Sequence, residues 1–328
     1  MTMGEIMKIL FVVSGNHERG ISPIVKNQME ALQEAGVVVD LFEIRGRGVF
    51  NYLKNTIQLR HYLRKHLYFA IHAHYSLSGY VASLAGAKPL VVSLMGTDVK
   101  AAGWYKSFIK LFAKLFRWGA LIVKSNDMYR DLGMAEAIVF PNSVNTERFM
   151  PMDKQTCQEK LGWTITHNQS SVTHILFPAN YNRPEKDFPL AEEAVALVKQ
   201  HFGDKREIEI HWFDDYTPNA ALPDWYNAAD VVLLTSFYEG SPNVIKEALA
   251  CSKPIVSTNV GDVAERMDGV EGCYVVSTRE PKDVADALEK ALAFDGLTKG
   301  RENIFADELS NQQAMERLKN MYKSVQNK

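Results

Sequence analysis

The stretch FYEGSPNVIKEALACSKPIVSTNVGD, residues 237–262, sets two carboxylates, Glu239 and Glu247, around a Ser241-Pro242 step, with seven residues between them. Serine is a favoured N-cap and proline is favoured at the first helical position, so a helix is predicted from Pro242 onward. The amides of Asn243 and Val244 at such a start lack intrahelical partners and form an anion site suited to a diphosphate. Glu247 would lie more than a turn further in, where a carboxylate accepts hydrogen bonds from a ribose hydroxyl pair. Glu239 would stand in the loop, near whatever hangs from the phosphate. Spacing alone leaves a second reading open, a capped surface helix with two solvated glutamates.

Such a site needs a strand before the loop and a sheet beneath it. Continuous apolar runs at 8–13, 37–44, 69–75, 89–96 and 120–125 are predicted as strands buried on both faces, with helical periodicity between most of them. A second series follows at 172–180, 206–213, 230–236, 253–258 and 272–276, with helices at 242–251 and 281–294. The alternation predicts an α/β chain of two Rossmann-like, doubly wound parallel-sheet domains facing a central cleft, with ligands at the carboxyl ends of the strands. A polar segment near 151–171 reads as the linker. The expected division is 1–155, 156–308, and a C-terminal helix at 309–328 packing back toward the N-terminal domain.

At 328 residues the chain is long enough for two cores. Its 46% hydrophobic and 23% charged residues are those of a soluble globular protein. No apolar run approaches a membrane span, and Ile9–Val13 is too short for a signal-peptide core, so it reads as a first strand. Three cysteines without metal-ligand spacing suit a reducing cytoplasm. The net charge of −2 conceals an asymmetry. Residues 1–150 carry 18 Lys/Arg against 11 Asp/Glu, and the remainder 19 against 28. The N-terminal half is therefore the expected partner of something anionic.

With its surroundings included, LPDWYNAADVVLLTSFYEGSPNVIKEALACSKPIVSTNVGD (222–262) resembles the donor-site signature of glycosyltransferase family 4, the retaining GT-B enzymes. The glutamate spacing, the preceding strand, Lys253-Pro254 and the Val260-Gly261 turn all agree. Ser252 and Asp262 depart from glycines common in the family. The resemblance implies that Glu247 binds the ribose of a nucleotide sugar and that Glu239 contacts the donor sugar, with Ser241, Pro242, Asn243 and Val244 lining sugar and phosphate. In FPANYNRPEKDF (177–188), Lys186 takes the position of the family's lysine. Asn180 stands where the family has arginine, and Arg183 in the same loop is the candidate replacement. Fixed cations at this place neutralise a departing diphosphate when no metal does so; a solvated loop with surface charges is the competing reading.

The first loop, SGNHERGIS (14–22), matches the family's glycine-rich donor loop through Gly15 and Gly20, and a plain strand–helix turn competes. HAHYSLSG (72–79) resembles the family's strand ending in His-x-His, and His74 reads either as a group near the reaction or as a satisfied polar residue at a strand end. SLMGTD (93–98) resembles its acceptor-side turn through Gly96 and Asp98, although Met95 occupies a position where the family often has histidine. FPNSVNTERFMP (140–151) resembles the link between the family's domains.

Lys106, Lys110 and Lys114 recur every fourth residue beside an apolar side, with Trp104 and Trp118 near the ends. This is the pattern of an interfacial amphipathic helix, and equally of a helix packed on its sheet with lysines outward. A second basic helix is expected at 50–67. The resulting expectation is a retaining, metal-independent transferase with no cofactor. It would move a sugar from a nucleotide sugar, UDP-linked rather than GDP-linked, to a glycan or lipid-linked acceptor in cell-surface polysaccharide synthesis. An anionic membrane surface is an expected partner and nucleic acid is not. The expected location is cytoplasmic, with peripheral attachment to the inner face of the cytoplasmic membrane. The rival expectations are an epimerase-like nucleotide-sugar enzyme and a catalytically silent partner that binds donor or membrane.

Overall fold

The computed structural model describes residues 7–16, 20–100, 103–164, 166–167, 170–214 and 216–327. The chain divides into two compact units. One runs to Asn142 and resumes at Asn311; the other is Ser143–Ser310. The division falls after Asn142 rather than after residue 155, because Val144 and Phe149 already belong to the core of the second unit. That unit is entered and left side by side, through a parallel bridge between Val144 and Ser310. The helix Asn311–Gln326 is part of the first unit.

The first unit holds β1 (Lys8–Ser14), β2 (Val38–Ile44), β3 (Ala70–His74), β4 (Leu90–Ser93), β5 (Ala120–Val123) and β6 (Ala137–Val139). All pair in parallel, in the order β2-β1-β3-β4-β5-β6. Alternation along β1 explains its continuous apolar run. Ile9, Phe11 and Val13 pack on one face against the helices Pro23–Glu34 and Asn311–Gln326, while Leu10 and Val12 pack on the other. With helices on both faces, no strand position is left for polar alternation. Tyr322 fastens the C-terminal helix to the sheet: it is wholly buried, with its hydroxyl 2.7 Å from His72 Nδ1.

The second unit holds β7 (Thr166–His167), β8 (Ser170–Phe177), β9 (Glu207–Trp212), β10 (Val231–Leu234), β11 (Ile255–Thr258) and β12 (Cys273–Val276). Five are parallel in the order β12-β11-β10-β8-β9, and β7 is a short antiparallel addition to the start of β8. One face is covered by the helices Phe188–Phe202 and Pro281–Leu292, the other by Leu222–Ala228 and Asn243–Ala250. Ile245 and Leu249 of the last helix have no exposed surface, and burying each contributes about 1.5–3 kcal/mol. This anchoring presents the N-terminus of the helix at the carboxyl edge of β10.

Candidate functional site

The chain leaves β10 through Thr235 and Ser236 and enters the helix Asn243–Ala250. The helix begins at Asn243, one residue later than predicted, with Pro242 in the cap position at φ −67° and ψ 122°. Ser241 does not cap it. Its side chain is buried, donating to Asp262 Oδ2 at 2.8 Å and accepting from Lys246 Nζ at 2.6 Å. The extended ψ of Pro242 displaces the helix start and turns the serine inward. Lys246 is wholly buried, and burial draws its ammonium below the ordinary lysine range while Asp262, 3.8 Å away, opposes that shift. Ser241, Lys246 and Asp262 thus form a buried brace under the loop. Gly261 completes it: at φ +58°, a Cβ there would stand 2.7 Å from the Gly240 carbonyl oxygen, so only glycine lets this turn support the Glu239–Gly240 backbone.

Glu239 pairs with Lys186 and accepts a hydrogen bond from Ser236 Oγ at 2.9 Å. The two charged side chains are 12% and 17% exposed, sheltered yet open to a ligand. Stitching between loops makes the meeting possible. Thr235 Oγ1 donates to the carbonyls of Lys186 and Asp187 at 3.0 and 2.8 Å, and the Phe237 amide donates to the Glu185 carbonyl at 3.0 Å. Arg183 does not join this pair; its guanidinium folds onto Glu185 and is 57% exposed. Asn180 serves the turn, accepting from the Asn182 amide on Oδ1 at 2.9 Å and from the Arg183 amide on its carbonyl at 3.1 Å.

Arg279 is a residue the sequence reading missed. It pairs with Asp187, donates to the carbonyls of Thr235 and Ser236 at 2.7 and 3.1 Å, and stacks 4.0 Å from the Phe237 ring centre. Its position just beyond β12, at the carboxyl edge where ligands collect, was the available signal. Glu247 is partly buried and accepts a 2.7 Å hydrogen bond from the wholly buried Tyr226 hydroxyl. Burial raises the Glu247 pKa and the Tyr226 hydrogen bond opposes the rise.

In the first unit, His74 ends β3 against a cavity of about 400 Å3 lined also by Ser14, Tyr52, Tyr75, Ser78 and Met95. Neither ring nitrogen has a hydrogen-bond partner among the described residues, and burial pushes the imidazole down to about 3. Asp98 is equally buried but fully engaged. Its carboxylate accepts from the amides of Ser76, Met95 and Gly96 at 3.2, 3.0 and 3.1 Å, holding the turn after β4. Burial raises this carboxyl to about 6 against the pull of those amides. The Gly15 amide donates to the Ile44 carbonyl at 2.9 Å, and Gly20 has a φ of +87°. Residues 17–19 of that loop lie outside the described residues.

The helix Gly103–Leu115 divides its apolar residues between two faces. Ile109 and Ala113 are buried, whereas Trp104, Phe108, Leu111 and Leu115 are exposed along one stripe. Lys114 is exposed, and Lys106 and Lys110 are half-buried. Trp118 is not a terminal anchor: it lies beyond the helix, packs in the core and donates from Nε1 to Ser83 Oγ at 2.7 Å. No helix among the described residues is long and apolar enough to cross a membrane. Among those residues, the one His/Cys/Asp/Glu group with metal-compatible spacing is His174, Glu209 and His211 on β8 and β9, apart from the carboxylates at β10.

Two family models match the chain in tandem: "Glycosyl transferase 4-like" over residues 20–125 and "Glycosyl transferases group 1" over 173–293. A glycosyltransferase of Bacillus subtilis (strain 168) named for teichuronic acid biosynthesis, TuaC, is 24% identical over 240 residues, 67% of this chain and 60% of the relative. The D-inositol 3-phosphate glycosyltransferase of Arthrobacter sp. (strain FB24) is 40% identical over 125 residues, 36% of this chain and 29% of the relative. The chain thus spans less than two thirds of the curated relatives it matches. Among solved structures, sucrose-phosphate synthase from Thermosynechococcus elongatus has a TM-score of 0.73 at 17% identity, over 98% of this chain and 99% of that one. Anabaena HepE in complex with UDP has a TM-score of 0.71 at 15% identity, over 97% and 100%. These likenesses match the two parallel-sheet units and give the fold as GT-B. The tandem family matches identify residues 20–125 as a glycosyl transferase 4-like domain and residues 173–293 as a group 1 glycosyl transferase domain.

Proposed function

We propose that the chain is a retaining, metal-independent glycosyltransferase, with the second unit binding a nucleotide sugar and the first an acceptor hydroxyl. The observation that carries the reading is the sheltered Glu239–Lys186 pair at the edge of β10, followed by a buried-anchored helix N-terminus and the Tyr226-held Glu247. The first helical amides and Lys186 receive the diphosphate, where their positive ends stabilise negative charge developing on the leaving group. Glu247 accepts the ribose hydroxyls. Glu239 accepts hydroxyls of the donor sugar as Lys186 turns to the phosphate. Arg279 positions the loop rather than touching the donor.

The acceptor occupies the cavity beside His74, whose neutral imidazole accepts a hydrogen bond from an acceptor hydroxyl other than the attacking one. The new bond forms between the acceptor oxygen and the anomeric carbon as the bond to the phosphate oxygen breaks. The hydroxyl proton passes to that phosphate oxygen, and a nucleoside diphosphate leaves. UDP is the favoured nucleotide carrier on the strength of HepE, whose solved complexes contain UDP and UDP-glucose. Cell-surface polysaccharide synthesis is favoured by the name of TuaC.

The experiment is transfer from a panel of nucleotide sugars to lipid-linked glycan acceptors, for the wild type and Glu239→Gln. Transfer by the wild type, lost in the variant while nucleotide binding persists, supports the reading. Nucleotide binding without transfer by the wild type supports a silent binding partner instead. The exposed stripe Trp104, Phe108, Leu111 and Leu115, with Lys114 beside it, supports action at an anionic membrane face. Trp104→Ser with Leu111→Ser should abolish binding to anionic vesicles at low salt; unchanged binding removes that surface from the account.

A further inference from the structure

Two neighbouring strands of the second unit carry a side-chain cluster that the transfer reaction does not use. In the parallel register His174 of β8 pairs with Glu209 of β9, and Leu176 with His211. Strand periodicity places His174, Glu209 and His211 on one face, while Ile175, Ile208 and Ile210 turn to the core on the other. His174 Nδ1 lies 2.9 Å from His211 Nε2, and Glu209 Oε2 lies 3.5 Å from each of these nitrogens.

We propose that His174, Glu209 and His211 form a binding site for a divalent transition-metal ion of the zinc type, clasping β8 to β9. The point equidistant from three atoms at these separations lies about 2 Å from each, the length of zinc–nitrogen and zinc–oxygen bonds. At 3.5 Å the carboxylate oxygen is too far for a normal hydrogen bond to either ring, yet it completes the triangle. Two imidazoles and one carboxylate are a donor set that zinc accepts, leaving a fourth position for water. Imidazole nitrogens disfavour magnesium and calcium, which take oxygen ligands.

The surroundings prepare the ligands. His174 Nε2 donates its hydrogen to the Thr164 carbonyl at 2.8 Å, which leaves the lone pair on Nδ1, facing the site. The Trp163 ring lies flat on His211, with centroids 3.6 Å apart and planes 6° apart, and fixes that imidazole. On binding, His211 carries its ring hydrogen on Nδ1 and presents Nε2 to the metal. Access is through Glu209, whose side chain is 33% exposed, and His211, at 17%.

The test uses the untagged full chain, stripped with a chelator and titrated with zinc alone, with bound metal measured by mass spectrometry and thermal unfolding followed in parallel. One zinc per chain, a raised Tm, no competition from magnesium, and visible d–d bands with cobalt are expected. His211→Ala and Glu209→Gln should each weaken zinc binding at least about tenfold and remove the Tm shift. Glu209→Gln is nearly isosteric and partly exposed, so it reports even if His211→Ala fails to fold. Stoichiometric zinc absent from the wild type, or retained with equal affinity by Glu209→Gln, overturns the site.

Discussion

Tyr226→Phe deletes one hydroxyl and leaves a wholly buried ring in place. That hydroxyl donates to Glu247 Oε2 at 2.7 Å. A hydrogen bond to an ionised group contributes about 1.5–3 kcal/mol, against about 1 kcal/mol for a neutral pair. The loss should therefore depend on pH. Burial raises the Glu247 pKa in the folded protein above its unfolded value, so its ionisation costs stability as pH rises through the folded pKa. The tyrosine hydrogen bond restrains that rise, and the variant raises the folded pKa further. The stability difference between wild type and variant should be smallest below the ordinary glutamate range and should grow to about 1.5–3 kcal/mol above the folded pKa. For a unit of this size that is about 2–4 °C of Tm per kcal/mol. Urea unfolding of both proteins at about pH 4 and pH 8 measures it. An equal difference at the two pH values would refute the claim that Tyr226 holds an ionised Glu247.

Lys246→Met strips one of two cations from Asp262, leaving Arg266 Nε 3.5 Å from its Oδ2, and should cost about 1–3 kcal/mol, part of which Asp262→Asn in the same chain should restore. Denaturant titration of the single and double variants checks this; an additive double variant would deny the brace. His74 is held neutral down to about 3, so the unfolded chain binds the extra proton between about pH 6.5 and that value, and stability falls as pH falls through this window. At about pH 5 the histidine removes about 2 kcal/mol relative to neutral pH. His74→Phe should flatten the measured pH profile by that amount, and an unchanged profile would count against the buried neutral imidazole.

Strands were legible because burial on both faces writes them as continuous apolar runs: β1, β2, β5 and β10 were all read to within a residue or two of their ends. β6 was missed because three residues with an exposed Ile138 leave no run to see, and β7 because two residues leave no period. The helix start was legible from the Ser241-Pro242 step, whereas spacing alone left the roles of Glu239 and Glu247 open until the family resemblance was considered. Partners brought by the fold were not legible. Nothing near Glu239 in sequence announces Lys186, and nothing near Glu247 announces the Tyr226 hydroxyl. Ser241 has the type of a cap, but tertiary packing against Lys246 and Asp262 outweighed it. Trp118 has the type of an interfacial anchor, but the Ser83 hydroxyl and the core hold it. Glu209 and His211 drew no reading in the sequence, because their meeting with His174 exists only in the strand register.

Calorimetric titration of UDP into the wild type and Glu247→Gln tests the central claim most directly. The account predicts saturable binding to the wild type, weakened by at least about 1.4 kcal/mol, or tenfold, when the carboxylate that receives the ribose is neutralised. UDP that binds both proteins equally would place the nucleotide elsewhere and contradict the account.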